Sequence, residues 1–204
     1  MADHAAEHVS TRDLIIHEAL KCFADSGYDG TSLNDIAAGV GIRRPSLLHH
    51  FASKEILYGE VFEKLLSDWV EKLSVMATAP EVGWRKMELV IEAGFDLFAE
   101  NPEYVRLMRR EALEGGSHLG IELSAVLRPM FDRAVAFFER EMDAGVFRRL
   151  DPAQLLMSGY GAVLSYFSDA VFLNGLIDTD ALSPEALTRR RQHITEFFVA
   201  ALTP

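Results

Sequence analysis

The sequence is short of cysteine. Cys22 is the only one, so no disulfide forms within the chain and a four-cysteine zinc site is excluded. A reducing cytoplasm is the expected location. Long apolar runs are missing too. None approaches the ~18 residues a bilayer span needs, so no membrane partner is expected. The first residues show no basic region followed by an apolar stretch, and no signal peptide is expected. Positive charge is scarce: 20 Lys and Arg face 31 Asp and Glu, a formal net charge of −11. Catalytic signatures are absent as well. There is no G-x-S-x-G, no GxxxxGK[ST] and no HExxH, and His49-His50 lacks the i, i+4 spacing of a helical zinc pair. Glu139 and Glu141 are two apart on a helix and face different ways. No enzyme, cofactor or metal centre is expected. What remains is an ordinary globular composition, 49% hydrophobic and 25% charged over 204 residues. That length fits one or two domains with a substantial core.

The most informative stretch is residues 30–54, GTSLNDIAAGVGIRRPSLLHHFASK. Ser32 is a good N-cap, and Asp35 stands three residues on, where its carboxylate can reach back to free main-chain N–H groups. Leu33, Ile36, Ala37 and Val40 then fall at i, i+3, i+4 and i+7, one apolar face. Gly41 breaks the helix and can supply a left-handed turn residue. A second helix begins within Ile42-Arg43-Arg44-Pro45, where proline is tolerated because the first turn has no use for its missing N–H. Two short helices joined by a tight glycine turn make a helix-turn-helix, whose second helix can enter the major groove. On that helix Leu47 and Phe51 share one side, Pro45, Ser46 and His49 lie opposite, and Leu48 and His50 flank them. Arg43 and Arg44 stand at its start, and arginine can donate two bonds to guanine. Residues 36–54 contain no Asp or Glu, which suits a phosphate-facing surface. Residues 1–55 as a whole carry five basic and eight acidic side chains, so the expectation is weak non-specific binding with a marked salt dependence.

These residues carry a resemblance. Thr31-Ser32, Ile36-Ala37, Gly41-Ile42, Pro45-Ser46-Leu47, His50-Phe51 and Ser53-Lys54-Glu55 are similar, residue type and spacing together, to the DNA-binding domain of the TetR/AcrR family of transcriptional regulators. The likeness runs from about Thr11 to Leu66. Arg43 stands where that family has Ser or a similar cap. Leu48 stands where it has a Tyr that touches the DNA backbone, and His49 is expected to take that role. On spacing alone Lys54 is either a solvated lysine or a phosphate contact, and the resemblance assigns it to phosphate. The expected base contacts are Arg44, Pro45 and Ser46, with Arg43 and Asn34 as additions. The expected phosphate contacts are Thr31, His49, His50 and Lys54, with Arg12 a weaker one.

The rest of the chain reads as helices. Residues 1–9 are polar and form an expected mobile tail, although His4 and His8 have metal-ligand spacing. A first helix spans residues 10–26, with Cys22 on its buried side and Gly27 ending it. A fourth starts at Ser53 and runs about six turns, long enough to link two domains. Others are expected over residues 84–100, 102–114, 121–144 (with Pro129 inside), 152–174 and 184–202. The expected fold is all-α, about nine helices: a three-helix DNA-binding domain over residues 10–54, then a larger domain over residues 55–204.

Aromatics and methionines crowd the larger domain and read first as core. The resemblance implies a homodimer paired through the eighth and ninth helices, and an effector cavity enclosed by the fourth to eighth. Phe95, Met108 and Phe131 are the candidate apolar walls of that cavity. Arg106, His118 and Tyr160 are its candidate polar groups. The function expected is a ligand-responsive DNA-binding regulator, a repressor released from a pseudo-palindromic operator by a small apolar or amphipathic effector. The alternatives are an all-helical interaction module, or a regulator that needs a co-ligand to bind DNA.

Overall fold

The computed structural model describes residues 10–78, 80–116, 118–119 and 123–204, with the side chains of 73–78 and 123 left aside. The expected tail over residues 1–9 lies outside the described residues. Ten helices follow one another: α1 Thr11–Gly30, α2 Leu33–Val40, α3 Arg44–His50, α4 Lys54–Thr78, α5 Gly83–Glu100, α6 Pro102–Leu113, α7 Leu123–Asp143, α8 Pro152–Ser168, α9 Ala170–Ile177 and α10 Pro184–Leu202. No strand occurs among the described residues. The chain divides into two compact units, Met1–Leu66 with Leu107–Ile121, and Ser67–Arg106 with Glu122–Pro204.

In the first unit the helix ends are set locally. The Ser10 hydroxyl accepts from the Asp13 N–H at 3.1 Å and starts α1. At Gly27 the main chain leaves helical geometry (φ 76°, ψ 175°), and one further turn carries the helix on to Gly30. Ser32 and Asp35 cap α2 reciprocally: the Ser32 hydroxyl accepts from the Asp35 N–H, and the Asp35 carboxylate accepts from the Ser32 N–H. Gly41 then turns the chain in the left-handed region (φ 78°), which side chains with a Cβ rarely adopt. Ile15, Phe23, Ile36, Leu47, Phe51, Leu57, Tyr58, Phe62 and Leu107 are fully buried and form the core beneath this motif. Burying each such side chain contributes about 1.5–3 kcal/mol. Cys22 is half-buried rather than inside this core, and partial burial pushes its thiol upward.

The second unit packs α5, α7, α8 and α10 around Met87, Phe95, Met142, Phe147, Leu164, Phe167, Ile194 and Phe198. Pro129 lies inside a continuous α7. The single helix expected over residues 152–174 is two. α8 ends at Ser168, and α9 leaves it at 81°. The cause is tertiary. The Tyr166 hydroxyl donates to the Ala181 carbonyl at 2.8 Å, and the Asn174 side chain accepts from the Ala181 N–H at 2.7 Å. Both sides of the break are thus tied to the returning chain, with Ala170 and Ala181 buried there. Among the described residues no single helix is long and apolar enough to cross a membrane.

Candidate DNA-binding site

α3 is anchored by one face and presents the other. Leu47 and Phe51 are buried, whereas Arg44, Pro45, Ser46, Leu48, His49 and His50 are exposed. The anchored face works because α2 meets α3 through Gly41 at fixed geometry: the Ile42 N–H donates to the Ala37 carbonyl at 2.9 Å, and the Ser46 N–H to the Arg43 carbonyl at 2.9 Å. Arg43 occupies the N-cap of α3 and gives no side-chain cap bond. Arg43 is exposed, at the start of a turn in which Pro45 has no N–H and the Ser46 N–H is already bonded. Asn34 is exposed on α2. Arg43, Arg44, Pro45, Ser46, His49 and His50 thus all lie exposed within the eight residues 43–50, where Leu47 alone is buried.

Thr31 is different. Its side chain is only 4% exposed, and its hydroxyl lies 2.9 Å from the Cys22 carbonyl and 2.8 Å from that of Gly27. The hydroxyl is used to close the end of α1, so the expected phosphate contact from Thr31 is corrected to a structural role. Arg12 is likewise engaged, paired with Glu60 and laid over the Phe51 ring at 5.0 Å.

Lys54 begins α4. Its ammonium lies 4.3 Å from the centre of the Tyr28 ring. The Tyr28 hydroxyl donates to Glu55 at 2.8 Å. Hydrogen bonds from Ser53, from its own main chain and from Tyr28 hold the Glu55 carboxyl down at about 2. Burial, and then the bond to that carboxylate, push the Tyr28 phenol up to about 12. Tyr28 thus orients Lys54, a role that the sequence reading missed. The available signal was an aromatic immediately after the helix-ending glycine, but its partners are 26 and 27 residues away.

The six effector candidates do not form one set. Phe95 lies in the second unit's core, Phe131 is half-buried on α7, Tyr160 is exposed on α8, and Arg106 pairs with Glu103 at 3.6 Å on α6. Met108 and His118 belong to the first unit. None of the six lines the open groove of about 590 Å³ in the second unit, whose walls include Asp68, Glu71, Lys72, Asp96, Glu100 and Tyr104. That groove is acidic and its charges are largely paired: Lys72 with Glu100 at 2.6 Å and Tyr104 with Asp68 at 3.2 Å across it, and Asp96 with Arg191 of α10 at 2.9 Å.

Residues 15–61 match the family model described as bacterial regulatory proteins, tetR family, and residues 84–198 match that of a tetracyclin repressor-like C-terminal domain. The HTH-type transcriptional regulator RutR of Escherichia coli K12 is 28% identical over 154 residues, 74% of this chain and 71% of RutR. IcaR of Staphylococcus aureus, a negative transcriptional regulator of a biofilm operon, is 42% identical over 65 residues, 32% of this chain and 34% of IcaR. Two solved structures share the fold. The ketosteroid transcriptional regulator KstR2 of Mycobacterium tuberculosis has a TM-score of 0.75 at 20% identity, covering 99% of this chain and 100% of that one. AibR in complex with isovaleryl coenzyme A and operator DNA has a TM-score of 0.74 at 17% identity, covering 92% and 97%. The chain belongs to the TetR family of bacterial regulatory proteins and is a helix-turn-helix, DNA-binding transcriptional regulator.

Proposed function

We propose that the chain is a homodimeric repressor that leaves a pseudo-palindromic operator when a small apolar or amphipathic effector binds. The observation that carries the reading is α3, locked by Leu47 and Phe51 while Arg44, Pro45, Ser46, His49 and His50 face outward. In this reading residues 10–54 read DNA and residues 55–204 bind the effector and the second copy. Arg44, Pro45 and Ser46 meet bases, with Arg43 and Asn34 beside them, and His49, His50 and Lys54 meet phosphates. One helix-turn-helix touches few base pairs, so a two-fold pair of heads reading two half-sites gives the specificity a regulator needs.

Support for the dimer comes from α8, α9 and α10, which expose Met157, Val171, Phe172 and Phe197. Apolar exposure of this density on a monomer surface marks an interaction site. Support for a small-molecule effector comes from the likeness to AibR, solved in complex with isovaleryl coenzyme A and operator DNA. Coupling of about 1–3 kcal/mol between effector and operator would change DNA affinity about 5–150-fold. In this reading the protein works in the cytoplasm, where its operator would be.

The test is selection of bound duplexes from a random pool at moderate salt, without added ligand. A pseudo-palindromic consensus supports regulator and dimer together. No enrichment from folded, dimeric protein would replace this reading with a regulator that needs a co-ligand, or with an interaction module.

A further inference from the structure

At the C-terminal end of α6 the chain gathers a buried carboxylate, a second carboxylate and an imidazole. Glu111 is 0% exposed. Its Oε2 accepts from the Tyr58 hydroxyl at 2.6 Å, and its Oε1 accepts from the main-chain N–H of His118 at 3.3 Å. The His118 Nδ1 lies 3.9 Å from Glu111 Oε2 and 3.4 Å from Glu114 Oε2. The three ligand atoms lie within 4.8 Å of one another. Gly115 and Gly116, at φ 72° and 75°, turn the chain back on itself after α6 and bring His118 over Glu111. The imidazole stacks on Tyr28 at 4.4 Å between ring centres.

We propose that Glu111, Glu114 and His118 bind a divalent transition-metal ion of the zinc type. Two ligand atoms each about 2.1 Å from one tetrahedral ion stand about 3.4 Å apart, the separation of His118 Nδ1 and Glu114 Oε2. The 3.9 Å to Glu111 Oε2 needs a wider angle, and ligand atoms as much as 4.8 Å apart close to about 4 Å or less around the ion. The charge favours it as well. Among the described residues no Lys or Arg pairs with Glu111, and a fully buried carboxylate is costly without a compensating cation. A protonated His118 would bring one positive charge to two carboxylates. A divalent ion brings two and leaves the imidazole neutral, as metal ligation requires. The ring nitrogen selects zinc-like ions over magnesium or calcium, which take oxygen ligands. The supporting shell is in place, because Tyr58 orients Glu111 and Tyr28 orients His118. Spacing in the sequence concealed the site, since Glu111 and His118 are seven apart and meet only through the double-glycine turn.

The test uses the full chain, stripped with a chelator and titrated separately with Zn(II), Mn(II) and Mg(II) by calorimetry, with melting followed in parallel. The expected result is one Zn(II) per chain at micromolar affinity or tighter, a raised melting temperature, and no comparable binding of Mg(II). Glu114→Gln and His118→Gln should each weaken Zn(II) binding by about tenfold or more. Glu114 lies at the protein surface, so its substitution leaves the fold intact even where Glu111→Gln does not. The absence of stoichiometric binding overturns the site. So does binding that both variants leave unchanged, which would put the ion on other histidines.

Discussion

The ammonium of Lys54 sits 4.3 Å from the centre of the Tyr28 ring, although 25 residues separate the two. A cation in the first turn of a helix is opposed by the helix dipole. The ring face, and Glu55 beside it, compensate that placement and fix where the charge points.

From this pair follows the first expectation. Lys54→Ala should weaken binding to every duplex alike and lower the slope of log affinity against log salt by about 1. Tyr28→Leu, which keeps Lys54 but removes its platform, should weaken binding by a smaller factor with the slope nearly unchanged. Titrations of operator and random duplex across a salt series check both. A loss confined to the operator would assign Lys54 to base reading.

Arg44 should behave in the opposite way. Arg44→Ala is expected to cost about 1–3 kcal/mol on the operator and to relax preference at one or two base pairs. Repeating the duplex selection with the variant measures the second effect directly. Unchanged affinity and unchanged preference would remove Arg44 from the reading head.

The Tyr28–Glu55 bond has a defined pH window. Glu55 is held at about 2, below its ordinary 4.5, so its contribution is present above 4.5 and is lost as pH falls toward 2. Tyr28 is raised to about 12 from an ordinary 10, so its contribution is present below 10 and is lost as pH rises through 12. The stability deficit of Tyr28→Phe relative to the unaltered chain should therefore form a plateau over about pH 5–9 and shrink on either side. Denaturant unfolding of both proteins along a pH series reads it. A deficit constant from pH 3 upward would mean that the bond is not what the hydroxyl contributes.

The exposed apolar side chains make the dimer testable. Phe172 is 67% exposed and Phe197 57%. Phe172→Glu and Phe197→Glu should each shift sedimentation toward the monomer and reduce operator affinity while leaving the melting of the monomer little changed. Dimers that persist in both variants would move the pairing surface elsewhere.

Much of the DNA-reading half was legible from residue order alone, because its determinants are local. The Ser32–Asp35 reciprocal cap spans three residues, the Gly41 turn needs one residue of positive φ, and the inward pair Leu47 and Phe51 follows from helical period. That Arg43 stands where a capping Ser is usual came from the family resemblance, and Arg43 gives no side-chain cap bond. The tertiary structure decided what depends on distant partners. Thr31 turned inward because the end of α1 presents carbonyls that need a donor. The helix expected over residues 152–174 broke at Asp169 because Tyr166 and Asn174 bind Ala181 on the returning chain. Glu111 gained Tyr58, 53 residues away, only because α4 and α6 supply side chains to one core. Periodicity and capping are properties of neighbours along the chain, so they can be read in order. Burial of a hydroxyl, a carboxylate or a helix break depends on which groups the packed core brings to it, and only the folded chain specifies those.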